Sequence, residues 1–98
     1  MTGTTLSSAT LDERRRRLLY RSWHRGMREM DLLIGTFADA HLVSFSDDEL
    51  DRYEALIERQ DQELLSWLVG SVAVPSEMDT DLFRKLVAFH RHDKPINL

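Results

Sequence analysis

Read for the spacing of apolar positions, the chain falls into five helical segments. Met30, Leu33, Ile34, Phe37, Ala38 and His41 recur at i, i+3, i+4, i+7, i+8 and i+11, which predicts an amphipathic helix from about Met27 to Leu42. A shorter segment precedes it, from about Asp12 to Trp23, with Leu11, Leu18, Leu19 and Trp23 as its sparse apolar positions and Thr10 or Asp12 as its cap. Ser46-Asp47-Asp48-Glu49 matches a capping box, in which hydroxyl and carboxylate satisfy opposite free N–H groups, and it starts a third helix with Leu50, Tyr53, Leu56 and Ile57 on its buried face. The phase breaks at Gln60-Asp61. Asp61 then caps a short fourth helix whose stripe is Leu64, Leu65, Leu68 and Val69, with Trp67 beside it and Gly70 as its stop. The stretch SVAVPSE has strand-like composition but is short and contains a proline, so it reads as a connector. A fifth helix runs from about Thr80 to His90 on Leu82, Phe83, Leu86, Val87 and His90, and Lys94-Pro95-Ile96 ends it. The expected fold is an all-α, compact single-domain bundle of five short helices covering residues 12–92, with flexible tails at 1–11 and 93–98.

At 98 residues a single domain is the prior, large enough to bury roughly 60–65% of the unfolded chain's surface. The absence of cysteine excludes a disulfide framework and thiol chemistry, and fits a reducing compartment. No apolar run approaches the 18 or so residues of a membrane span, so no membrane insertion is expected. The Ser/Thr-rich start MTGTTLSSATL lacks the basic end and apolar middle of a secretory signal; it reads as a short tail, with an organellar transit peptide as the other reading.

Charge changes the picture more. Residues 14–28 hold seven arginines (Arg14, Arg15, Arg16, Arg17, Arg21, Arg25, Arg28) and no acid, whereas residues 47–63 hold eight acids against Arg52 and Arg59. A net charge of −4 therefore hides a basic end and an acidic middle, and such asymmetry calls for a partner of complementary surface. The arginine cluster has three readings. It can be a solvated helix face, since four consecutive arginines span a turn and cannot all point inward. It can meet an acidic protein partner, for which arginine's forked donors are suited. Nucleic acid is the third. The acidic balance opposes that reading, and the polar side of the second helix (Asp31, Gly35, Thr36, Asp39) carries no Arg, Asn or Gln to read base edges. The first two stay open on the residues alone.

Chemistry elsewhere is sparse. His24, His41, His90 and His92 make no same-face pair, which argues against a metal site, and His41 reads as a partly buried helix-end residue. There is no nucleophile elbow and no Gly-rich phosphate loop, so no catalytic residue is assigned and an enzyme is not expected.

One stretch remains, HRGMRE at 24–29, where a glycine between two helices is ringed by charge. Here the chain resembles the FAD assembly factors of succinate dehydrogenase (SdhE in bacteria, succinate dehydrogenase assembly factor 2 in mitochondria). The family signature R-G-x-x-E is Arg25-Gly26-Met27-Arg28-Glu29, followed by Met30-Asp31. The Arg-rich lead-in Arg14–Arg21, the S-D-x-E start at Ser46–Glu49 and a D-x-x-L-x-x-W-L element at Asp61–Leu68 agree in order and spacing over residues 12–90. The WHRGMREMD wording is most similar to the alphaproteobacterial branch.

The resemblance implies a five-helix fold and a non-enzymatic assembly factor. Such a factor binds the flavoprotein subunit of succinate dehydrogenase, and that of fumarate reductase, and promotes covalent attachment of FAD to a histidine there. It implies Arg25, Gly26, Arg28 and Glu29 as the docking residues, with Arg17, Arg21, His24, Met27 and Asp31 around them. FAD is then handled through the partner, and no tightly bound cofactor of the chain's own is expected. It further implies a monomer when free, in the bacterial cytoplasm or, for a eukaryotic source, the mitochondrial matrix. The alternative is a nucleic-acid-binding or antitoxin-like regulatory module acting through the Arg-rich first helix.

Overall fold

Asp12 begins the ordered helices, and its carboxylate shows why. It accepts from the Arg15 N–H at 3.3 Å and from the Arg15 guanidinium at 3.3 Å, so a free N–H of the first turn is satisfied. Partial desolvation works against ionisation of this carboxyl, but the hydrogen bonds from Arg15 outweigh it and hold its pKa below the ordinary value. The computed structural model describes residues 11–90. Both expected tails, apart from Leu11, lie outside the described residues, as do the alternative cap Thr10, His92 and the Lys94-Pro95-Ile96 stop. Leu11 itself is buried.

Five α-helices follow in order: α1 (Glu13–Trp23), α2 (Arg28–His41), α3 (Asp47–Ile57), α4 (Asp61–Leu68) and α5 (Asp81–Ala88). Short 3-10 turns occur at Leu42–Ser44 and Ser76–Met78, and no strand occurs among the described residues. The expected all-α class is borne out, and SVAVPSE is a connector. The chain divides into two compact units, Met1–Ser46 and Asp47–Leu98, each described within residues 11–90.

In the first unit α1 packs on α2. Met30, Leu33, Ile34, Phe37 and Ala38 are all buried, as the 3.6-residue period required. The last turn tightens into 3-10 geometry at Leu42, which brings Phe45 to 5.9 Å from the Phe37 ring. His41 is half-buried at the helix end, 4.8 Å from the same ring.

In the second unit α3 starts directly after Ser46, where the capping box places it, and buries Leu50, Tyr53, Leu56 and Ile57. It packs on α5, where Lys85 reaches Glu49 at 3.4 Å. Thr80 caps α5 through its hydroxyl, which accepts from the Phe83 N–H at 3.2 Å, and Leu82, Phe83 and Leu86 face inward. The fourth helix corrects the sequence reading. Its cap is Gln60, not Asp61, which is already helical, and its buried residues are Leu64 and Trp67. Leu65 and Leu68 are only half-buried and Val69 is exposed. The indole has more apolar area to remove from water than valine, so it decides which side of this eight-residue helix turns inward. Arg59 lies over the Trp67 ring at 5.5 Å and forks onto Glu63 at 3.0 and 3.1 Å.

Candidate functional site

The link between α1 and α2 is short and strictly shaped. α1 stops at Trp23, His24 leaves helical geometry, and Met27 enters α2 in extended conformation with no side-chain cap. Gly26 sits between them at φ +90°, a left-handed conformation that costs an L-residue with a Cβ roughly 1–2 kcal/mol. A Cβ placed at Gly26 would meet nothing within 4 Å, so the outer side of the turn is open space.

The inner side is held by α2. The Asp31 carboxylate accepts from the Arg25 N–H at 2.5 Å, while the Met27 carbonyl accepts from the Asp31 N–H at 2.9 Å. One turn further on, Gly35 gives the Trp23 ring a seat: a Cβ there would lie within 2.6 Å of the ring carbons Cδ2, Cε2 and Cε3. One turn beyond that, Asp39 accepts from the Trp23 indole N–H at 3.1 Å. Asp31, Gly35 and Asp39 thus form a stripe at four-residue spacing that carries the end of α1 and the turn. The sequence reading put these residues on the polar side of the second helix and assigned them no partner within the chain. The structure corrects this, because each carboxylate has a donor from the facing segment and the glycine makes a notch for an indole. Glycine inside a helical pattern was the available signal, since it is disfavoured there without a packing reason.

Of the residues singled out by sequence, Gly26, Arg28, Glu29, His24 and Arg17 are exposed, and Arg21, Arg25, Met27 and Asp31 are half-buried. The turn brings Arg25, Gly26, Arg28 and Glu29 together, with Asp31 behind them. Glu29 lies exposed in the first turn of α2, where the helix dipole favours a carboxylate. Arg17 pairs with Glu13 at 2.7 Å on the exposed face of α1.

Arg15 departs from the basic surface altogether. Its guanidinium turns inward, donating from Nε to the Leu42 carbonyl at 3.1 Å and from Nη2 to the Phe45 carbonyl at 2.5 Å. It satisfies acceptors where the 3-10 turn ends. Nothing in a run of four arginines distinguishes the one that does this.

Among the described residues no cluster of three or more His, Asp or Glu is placed to hold a metal. A solvent-open hollow lined by Glu58, Arg59, Gln60, Gln62 and Glu63 lies at the α3–α4 link, where Arg59 is already paired with Glu63.

Comparison with known proteins places the chain in a family. Residues 16–90 match the family described as flavinator of succinate dehydrogenase (Sdh5), a span that contains α2 to α5, the whole turn and most of α1. The chain belongs to this flavinator family. Within it, the chain is 42% identical over 77 residues to the FAD assembly factor SdhE of Acetobacter pasteurianus, covering 79% of this chain and 71% of that protein. It is 34% identical over 86 residues to the mitochondrial succinate dehydrogenase assembly factor 2 of Dictyostelium discoideum, covering 88% and 60%. To the mitochondrial assembly factor 2-A of Drosophila yakuba it is 41% identical over 78 residues, covering 78% and 48%. The chain thus spans 48% to 60% of these mitochondrial relatives' length and 71% of the bacterial one's. Family membership bears out the resemblance read from the R-G-x-x-E turn. Among the described residues no helix is long and apolar enough to cross a membrane.

Proposed function

We propose that the chain is an assembly factor that docks on the flavoprotein subunit of succinate dehydrogenase through the α1–α2 turn and promotes covalent attachment of FAD to it. The observation that carries this is the turn itself. Gly26 is left-handed with open space outside it, braced from behind by Asp31, and flanked by exposed Arg28 and Glu29. Its membership of the flavinator family and the names of its relatives support the same reading.

A surface of this kind grips rather than reacts. Without a Cβ at Gly26, a partner backbone can come to van der Waals contact with the turn. Arg25 and Arg28 offer forked donors to partner carboxylates, and Glu29 offers an acceptor to a partner cation or N–H. Bracing by Asp31 reduces the entropy lost when the turn is bound. Held this way, a domain of the flavoprotein keeps its FAD and acceptor histidine in near-attack geometry, and positioning alone supplies rate. The factor acts without an active site of its own and takes its FAD substrate through the partner rather than holding it tightly. The same surface serves the fumarate reductase flavoprotein subunit. The free factor is a monomer, in the bacterial cytoplasm or the mitochondrial matrix according to source.

The test is covalent flavin on a purified apo flavoprotein subunit, read by in-gel fluorescence with and without the full chain. Stimulation by the parent and its loss in Glu29→Ala, together with loss of co-purification, are the expected results. Undiminished binding and flavinylation with Glu29→Ala would overturn the assignment of the turn. No stimulation by the parent would overturn the function.

A further inference from the structure

We propose that the docking surface continues from the turn up α1 as a stacked aromatic pair, Tyr20 and His24, which receives an acidic segment of the same flavoprotein; this rests on the function proposed above. Tyr20 is 64% exposed, more than any other large hydrophobic residue described. Its ring is nevertheless ordered. It stacks on the His24 imidazole with centroids 3.9 Å apart and planes 15° from parallel. His24 is fixed in turn, because its Nδ1 donates to the Tyr20 carbonyl at 2.8 Å. A carbonyl only accepts, so Nδ1 carries the proton and Nε2 is the ring's remaining polar atom for a partner.

His24 is the C-cap residue of α1, and its ring N–H satisfies the Tyr20 carbonyl of the last turn, so the imidazole has a structural use. The Tyr20 ring has none of that kind and buries little within the chain. The pair's place does carry a meaning: His24 is the residue before Arg25-Gly26, and Tyr20 lies one turn back on the same row as exposed Arg16. The row therefore leads from the basic stretch of α1 straight onto the open turn. Rigid, exposed aromatic rings lose little rotamer freedom on binding and, with arginine, supply much of the energy at protein interfaces. Arg15 turns inward and Arg17 pairs with Glu13, but exposed Arg16 on the same row and exposed Arg28 beyond the turn keep this end basic and select an acidic segment. That segment lays an apolar side chain on the Tyr20 face and directs carboxylates to the arginines.

Isothermal titration calorimetry of the full chain against the apo flavoprotein subunit tests this. Tyr20→Ala is expected to weaken binding roughly 10- to 30-fold, as for an interface anchor. Its helical circular dichroism and melting temperature stay at the parent values, since the ring is exposed. Tyr20→Phe keeps the ring face and is expected to bind within about threefold of the parent. Binding by Tyr20→Ala within about twofold of the parent would overturn the proposal, as would a loss in Tyr20→Phe as large as in Tyr20→Ala. If Glu29→Ala loses binding while Tyr20→Ala does not, only this extension falls. If the parent fails to bind, the functional reading falls and takes the extension with it.

Discussion

Replacing Gly35 with alanine puts one methyl group into the seat of the Trp23 ring, and the sign of the outcome is decided by two opposed effects. In an exposed helix interior, Gly→Ala stabilises by about 1 kcal/mol, because alanine loses less backbone freedom. Here the new Cβ would lie within 2.6 Å of Cδ2, Cε2 and Cε3 of Trp23, closer than real Cβ contacts come. Cδ2 and Cε2 form the ring fusion and Cε3 adjoins it, none of them a flexible tip, and Trp23 is only 6% exposed, so the whole side chain must move. Overpacking of this sort costs about 1–3 kcal/mol. Moving the ring also breaks the indole bond to Asp39, worth about 1 kcal/mol net. Set against the propensity gain, a destabilisation of about 1–3 kcal/mol remains, which for a domain of this size lowers the melting temperature by on the order of 5–20 °C. Thermal denaturation followed by circular dichroism at 222 nm reads it. Trp23→Ala provides the internal check: with the ring gone, adding Gly35→Ala should become favourable, a coupling of opposite sign to the single change. A melting temperature of Gly35→Ala at or above the parent would refute the seat, and so would simple additivity with Trp23→Ala.

Three further outcomes are expected. Gly26→Ala meets no steric obstacle within the chain, so only the positive φ opposes it; a loss of roughly 1–2 kcal/mol in chemical denaturation is expected, and no loss would mean the turn adopts another conformation. Asp31→Ala removes the acceptor that braces Arg25 and should lower stability by about 1–2 kcal/mol and weaken flavoprotein binding, whereas Asp31→Asn keeps an acceptor and should recover most of both; equal behaviour of the two in calorimetry would exclude the brace. The depressed pKa of Asp12 means that its ionised form is favoured by folding, so its contribution is present above the unfolded-state value and lost as pH falls through the folded one. The melting temperatures of the parent and Asp12→Asn should therefore converge on acidification below the ordinary carboxylate range, and a constant difference across that range would show that the cap does not depend on charge.

Sequence period alone determined most of the local architecture. The stripe from Met30 to Ala38 and the face of Leu50, Tyr53, Leu56 and Ile57 are buried as read, because a 3.6-residue repeat leaves a helix one apolar side to cover. The cap at Asp12 was one of two candidates legible in the sequence, and Thr80, read there only as the start of the fifth helix, caps by the same local device, a side-chain oxygen three residues before a free N–H. The turn at Gly26 was legible as a candidate surface because its charges had no other evident use, and family membership followed from motif order and spacing. What tertiary structure decided was the partner of each polar group. Whether Asp31 and Asp39 are solvated or are acceptors for Arg25 and Trp23 depends on where the facing segment lies, and no helical period contains that information. The same holds for Arg15, chemically identical to its three neighbours, which donates to the carbonyls of Leu42 and Phe45, 27 and 30 residues away. It holds too for Trp67, whose inward turn reflects competition for area around a whole helix rather than the spacing of leucines. Helix faces follow from nearest neighbours along the chain, but the brace behind the Gly26 turn exists only once α2 is packed against the end of α1.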